Sequence, residues 1–194
     1  RQYTCKADGL PRRSAQTALY HVLEAMSRWI APILSFTAEE IWETLPGKRA
    51  ESVHLTEWYT GFPETANSEF TADYWNSILQ VKEAVNSALE QARTDKLIGA
   101  SLSAEVTLYA NEQLKPLLQK LGDELRFVLI TSKANVADFT ADAGVATELE
   151  GLRVLVTASD EEKCERCWHH SETVGMNSAH PTLCNRCVEN VEGN

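Results

Sequence analysis

The chain has 194 residues, 43% hydrophobic and 24% charged, with a net charge of −10. These values suit a soluble globular protein with one medium domain and a small module, or two small domains. They leave no uncharged apolar run for a transmembrane helix, and Arg1-Gln2-Tyr3-Thr4 opens no signal peptide. The chain starts at Arg1 rather than Met and stops at Glu192-Gly193-Asn194, as expected of a piece of a longer protein.

Net acidity argues against nucleic-acid binding, because phosphate contacts need Lys and Arg. The charge is unevenly spread, however. Residues 1–35 carry five basic and two acidic side chains, residues 36–159 ten and nineteen, and residues 160–194 three and seven. The basic surplus therefore lies at the start of the chain.

The first predicted element is a long helix. Leu19, Val22, Leu23, Met26, Ile30 and Ile33 recur at i, i+3, i+4, i+7, the pattern of one buried face. Asp8 is its expected N-cap, Pro11 is tolerated in the first turn, and Pro32 ends or kinks it. A second helix should follow at once. Thr37-Ala38-Glu39-Glu40 reads as a capping box, Ile41, Trp42 and Leu45 as the apolar side, and Pro46-Gly47 as the stop. Residues 46–71 read as a long connection with a short extended stretch at Val53-His54-Leu55.

A third helix is expected over about 72–95. Trp75, Ile78, Leu79, Val85, Ala88, Leu89 and Ala92 form its apolar side, and Gly99 its stop. The period then changes from helical to alternating. Ala104, Val106 and Leu108 alternate with polar residues, which predicts a half-buried strand. A short helix over 111–122, strands at Phe127–Thr131 and Leu152–Thr157, and a loop over 140–150 follow. An acidic break at Ser159-Asp160-Glu161-Glu162 precedes the last segment.

That segment holds four of the five cysteines, spaced Cys164-x2-Cys167-x16-Cys184-x2-Cys187. Each C-x-x-C pair can aim two sulfurs at one ion, and two pairs complete the tetrahedron of a closed structural zinc site. Two disulfides or a rubredoxin-type iron site are the competing readings. A 35-residue segment with few apolar residues needs the metal to fold. His169, His170 and His180 lie nearby, but four matched cysteines leave them no required place. Lys163, Arg166 and Arg186 flank the cysteines. They either offset thiolate charge or face outward as phosphate contacts, with Trp168 as a stacking face. At the other end, Arg12, Gln16 and Tyr20 line one stripe of the first helix, beside Arg13. Cations near a helix N-terminus oppose its dipole, which hints at an external anion, although a solvated face is the ordinary explanation. No phosphate-binding glycine loop, H-E-x-x-H or G-x-S-x-G is present, so no catalytic set is expected. Cys5 reads as a small apolar residue.

Several stretches resemble a known family. Arg12-Arg13-Ser14-Ala15-Gln16-Thr17-Ala18-Leu19 and Trp29-Ile30-Ala31-Pro32-Ile33-Leu34-Ser35-Phe36-Thr37-Ala38-Glu39-Glu40-Ile41-Trp42 are similar to the anticodon-binding helical domain of class I aminoacyl-tRNA synthetases. Ser52-Val53-His54-Leu55 and Trp58 resemble the segment that follows. Lys96-Leu97-Ile98-Gly99-Ala100-Ser101-Leu102, then Cys164-Glu165-Arg166-Cys167-Trp168 with Cys184-Asn185-Arg186-Cys187, resemble the later part of the bacterial isoleucyl branch, including its four-cysteine zinc module. The resemblance spans essentially the whole chain.

It implies a mainly α fold with a small α/β part: the end of an anticodon-binding helical bundle over 1–95, a mixed α/β junction over 96–159, and a zinc-knuckle module over 160–194. It implies Cys164, Cys167, Cys184 and Cys187 as ligands of one structural Zn2+. Arg12, Arg13, Gln16, Arg166, Trp168 and Arg186 become candidate RNA contacts. The implied partners are isoleucine tRNA and the rest of a synthetase chain, in a cytoplasmic monomer with no membrane contact. The H-I-G-H and K-M-S-K-S type signatures are absent, so ATP would bind elsewhere in the parent ligase and this piece should be inactive alone. The rival expectation is a zinc module that only braces the synthetase C-terminus.

Overall fold

The computed structural model describes residues 2–63 and 69–193. Its contacts divide the chain into two compact units, Gln2–Asn67 and Ser68–Asn194.

The first unit is a helical pair. Helix α1 runs Leu10–Ile30 and α2 runs Ser35–Thr44. Pro32 sits in the turn between them, where its ring cannot continue a helix. The expected caps differ. Gly9, not Asp8, is the N-cap of α1, and no side chain caps it. Helix α2 starts two residues before Thr37, with Leu34 as N-cap, so Thr37 lies inside the first turn and caps nothing. Val53–Leu55 forms a 3-10 turn rather than an extended stretch. The Ser52 hydroxyl accepts from the His54 amide there, and the Glu39 carboxylate accepts from the Val53 amide.

The core of this unit is small: Ala31, Ala38, Trp42 and Val53. The Trp42 indole donates to the Ala50 carbonyl at 2.9 Å. The guanidiniums of Arg28 and Arg49 lie over its ring, 4.7 and 4.6 Å from the centroid. Both also pair with Glu24, at 2.7 and 3.0 Å. The side of α1 that turns inward is therefore Glu24, Ala25 and Ser27, and these are its buried residues. Of the expected apolar face only Ile30 packs against this core, and the rest is exposed. Leu19, Val22, Leu23 and Met26 remain 40–48% accessible, and Ile33 beyond them 83%.

The second unit is a layered α/β body. Helix α3, Ala72–Thr94, buries Tyr74, Ile78, Val81, Val85, Leu89 and Ala92. Trp75 and Leu79, expected on that face, are exposed. The helix ends at Asp95 and turns on Lys96 at φ 60°, three residues before Gly99. Strand β1, Ala104–Ala110, alternates strictly between buried and half-buried residues. Short helices α4, Leu114–Gln119, and α5, Leu125–Leu129, lead into β2, Lys133–Asp138. Strands β3, Val145–Ala146, and β4, Leu152–Ala158, complete a sheet in the order β2-β1-β4-β3. Strand β2 runs parallel to β1, while β4 runs antiparallel to both β1 and β3.

Phe127–Thr131 thus ends a helix and a turn instead of forming a strand. Leu125 and Leu129, at i and i+4, enter the core with α3, a helical spacing that the apolar run concealed. The same core joins Val81 and Val85 of α3 to Val106 and Leu108 of β1 and Val154 of β4. Helix α3 consequently packs with the sheet, so the boundary expected near residue 95 falls inside one compact unit. Gly151, at φ 78°, makes the turn into β4. A Cβ there would meet the Asn111 side chain at 2.0 Å. That side chain accepts from the amides of Gln113 and Leu114 at the start of α4.

Candidate metal centre and nucleic-acid interface

The last 30 residues hang on two backbone knuckles. In the first, Lys163 and His170 pair as an antiparallel bridge, and the Cys164 amide donates to the His169 carbonyl at 2.9 Å. The Trp168 amide donates back to the Cys164 carbonyl at 2.8 Å. Closing this turn puts Trp168 at φ 67°. That left-handed conformation is uncommon for a bulky residue. In the second knuckle, Cys184 is the N-cap of helix α6, Asn185–Glu192, and Cys187 lies in its first turn. The Cys187 and Val188 amides both donate to the Cys184 carbonyl.

The two knuckles bring the four sulfurs within 4.8 Å of one another. Cys164, Cys184 and Cys187 are buried and Cys167 is half-buried. The separation between Cys167 Sγ and Cys184 Sγ is 3.7 Å. A disulfide needs about 2.05 Å. Four sulfurs about 2.3 Å from a central ion stand about 3.8 Å apart in a tetrahedron. The Cys167–Cys184 spacing is therefore too long for a disulfide and matches two ligands of one ion. The Cys184 amide donates to Cys164 Sγ at 3.4 Å, and the N-terminus of α6 adds partial positive charge beside its two thiolates.

Four thiolates cannot share this space unaided. Hydrogen bonds from the Cys184 and Cys187 thiols hold Cys167 well below the usual thiol range. The bond to Cys167 pushes Cys184 up to about 11, and Cys187 upward as well. A bound dication removes that conflict by compensating the thiolate charge.

Among the described residues, no histidine joins this cluster. The His169 ring bonds the Cys167 carbonyl through Nδ1 at 3.1 Å and stands edge-on to Phe127. His170 Nδ1 bonds the Glu161 carbonyl, and His180 faces Glu192 at 3.5 Å.

The module is seated on the α/β body. Ile130, at φ 59°, turns the chain so that Thr131 and Ser132 are buried at the end of α5. The Ser132 hydroxyl accepts from the His170 amide at 2.7 Å and donates to the Leu102 carbonyl. Phe127 lies under the guanidiniums of Arg126 and Arg186, 4.5 and 5.0 Å from its centroid. Sequence reasoning missed Ser132, Phe127 and Arg126. A serine between a threonine and a lysine carries no local sign of its partner 38 residues away.

The predicted contact residues fall into two groups. Arg166 and Trp168 sit in the first knuckle, and Trp168 is 61% exposed, with the Lys163 ammonium 5.1 Å from its ring centroid. Arg186 opens α6 but turns its guanidinium over Phe127. Arg12, Arg13 and Gln16 lie in the other unit, on the first turns of α1. Arg12 is half-buried and points Nη1 at the Cys5 carbonyl, 3.5 Å away, while Arg13 is exposed. Tyr20, further along that stripe, hydrogen-bonds Glu24, which raises the phenol pKa.

A helical pair, an α/β body and a four-sulfur cage are joined in one chain. The family model described as the anticodon-binding domain of tRNA ligase matches residues 1–108, and the chain belongs to that family. A second model, a zinc finger found in FPG and IleRS, matches residues 161–190. The particular proteins it resembles are isoleucine–tRNA ligases. It is 56% identical to that of Shewanella sp. (strain W3-18-1), 57% to that of Shewanella baltica (strain OS155) and 55% to that of Shewanella oneidensis (strain MR-1). Each alignment covers the whole of this chain and 21% of the relative, so the chain spans about a fifth of the length of these ligases. Among the described residues no helix is long and apolar enough to cross a membrane.

Proposed function

We propose that this chain is the tRNA-recognition region of an isoleucine–tRNA ligase, which binds the anticodon stem and loop of isoleucine tRNA. The family match over residues 1–108, continued by similarity of the whole chain to about a fifth of the length of isoleucine–tRNA ligases, carries the reading. Charging with isoleucine at the expense of ATP belongs to the rest of the parent chain, and this piece alone is inactive. The setting is the cytoplasm, and the chain works as a monomer within that parent.

Cys164, Cys167, Cys184 and Cys187 hold one structural Zn2+, supported by the sulfur cage and the zinc-finger match. With all four positions filled by protein, the ion supplies folding free energy to the module rather than a reactive site. Trp168 stacks on an unpaired base of the loop, the usual way single-stranded RNA is read. Arg166 and Arg186 serve the backbone nearby, and Arg12, Arg13 and Gln16 serve it from the start of α1. A bulky residue held at positive φ is a costly conformation of the kind that clusters at binding sites, and 61% exposure leaves the indole available.

A second reading has its own support. The Ser132–His170 bond and the Phe127 contacts are what a module needs if it only braces the ligase C-terminus. The test is the pair Trp168→Ala and Arg166→Glu in the zinc-loaded protein, titrated with isoleucine tRNA. Recognition predicts a loss of about tenfold or more for Trp168→Ala, from base–aromatic stacking. Unchanged affinity with a lowered melting temperature selects the brace.

A further inference from the structure

Lys163 stands outside the metal cage and outside the set of residues assigned above. It flanks Cys164 in sequence and pairs with His170 across the neck of the first knuckle. Its ammonium lies 5.1 Å from the centroid of the Trp168 ring, inside the range where a cation is attracted to an indole face. The two residues come from opposite ends of the same turn. One is anchored by the bridge at the neck, the other is held at φ 67° where the turn closes on the Cys164 carbonyl.

An exposed indole on a turn would otherwise sample several rotamers, and fixing it on binding costs affinity. A cation held over one face removes part of that cost before RNA arrives. It leaves the opposite face for a base, consistent with an indole still 61% exposed. It also places positive charge behind the stack without spending the lysine on a phosphate. We infer that Lys163 is a positioning residue for base recognition, orienting Trp168 from behind. The inference rests on Trp168 stacking on a base.

The experiment uses the zinc-loaded chain and the anticodon stem-loop RNA of isoleucine tRNA. Affinity is measured over a salt series for Lys163→Met, Lys163→Arg, Trp168→Ala and the double variant Lys163→Met/Trp168→Ala, with zinc content confirmed for each. Lys163→Met should weaken binding about threefold, the fold-change matching an exposed cation–π contact. Lys163→Arg should restore it, because a guanidinium also sits over an indole. The salt dependence should keep its slope. In the Trp168→Ala background, Lys163→Met should add nothing, since its effect passes through the indole.

Three results overturn the proposal. If Lys163→Met leaves binding unchanged in the parent background while Trp168→Ala weakens it, Trp168 stacks without help. If the Lys163→Met effect persists in the Trp168→Ala background with the salt slope reduced by about 0.7 to 0.9, Lys163 contacts a phosphate directly. If Trp168→Ala itself leaves affinity unchanged, the stacking reading fails and this inference falls with it, a pattern distinct from the first two.

Discussion

Helices α1 and α3 are similar in length and both carry apolar residues at helical spacing, yet they meet opposite fates. Helix α3 buries six residues, five of them aliphatic or alanine, against the sheet. Helix α1 buries three, one of them Glu24 and one Ser27, and leaves Leu19, Val22, Leu23 and Met26 open. Periodicity identifies the face that gains by leaving water. It does not say whether the residues present in the chain can cover that face. The unit around α3 is closed by its own strands. The unit around α1 is held instead by charge and aromatic contacts among Glu24, Arg28, Arg49 and Trp42.

The largest expected effect concerns a third way of holding a structure, by metal. Residues 160–193 bury little apart from three cysteines and Val188. Structural zinc contributes about 10 kcal/mol or more in comparable modules. Chelating the ion, or Cys187→Ser, should abolish amide protection across Lys163–His170 and α6. Protection in β1 and α3 should persist. Hydrogen exchange followed by mass spectrometry reads both. Loss of protection in β1 along with the knuckles would show that the α/β body depends on the module.

Core truncation separates the two helical units next. Leu108 is fully buried between α3 and the sheet, so Leu108→Ala should cost about 3 kcal/mol in urea unfolding. Met26 is 48% exposed on the open face of α1, and Met26→Ala should stay within about 0.5 kcal/mol. A Met26 cost near that of Leu108 would mean that the open face is covered in solution.

These contrasts also show what could be read from the chain alone. The alternation of Ala104, Val106 and Leu108 located β1, because a strand with one buried face writes its period directly into the sequence. The cysteine spacing located the four-sulfur cluster, because ligand geometry tolerates few spacings. Phe127–Thr131 misled because a short apolar run fits a strand or a helix equally, and the deciding contacts of Leu125 and Leu129 come from α3, more than 30 residues earlier. Asp8 and Thr37 misled because a capping residue signals only that a helix could start there. The open face of α1 misled because burial belongs to partners. The seating of the module on Ser132 and Phe127 was invisible for the same reason.

The smallest of the contrasts tests charge as a substitute for an apolar core. Glu24 is 4% exposed and bonded to both Arg28 and Arg49. Burial alone would raise its pKa, but hydrogen bonds from Arg28, Arg49 and Tyr20 outweigh it and the carboxyl is lowered. A carboxyl with a lowered folded pKa contributes stability that is fully present above its unfolded value, about 4.3. That contribution is lost as pH falls through the lower folded value. The α1–α2 unit should therefore lose stability below about pH 4. Glu24→Gln should cost about 2 kcal/mol at neutral pH, since two guanidiniums lose their charged partner. The gap between the two proteins should close as the wild-type carboxyl protonates. Urea unfolding at a series of pH values, followed through α1 and α2 amides, measures that gap. A gap that stays constant down to pH 2 would assign the stabilisation to the side chain's shape and neutral hydrogen bonds, and the open unit would then be held by packing around Trp42 rather than by charge.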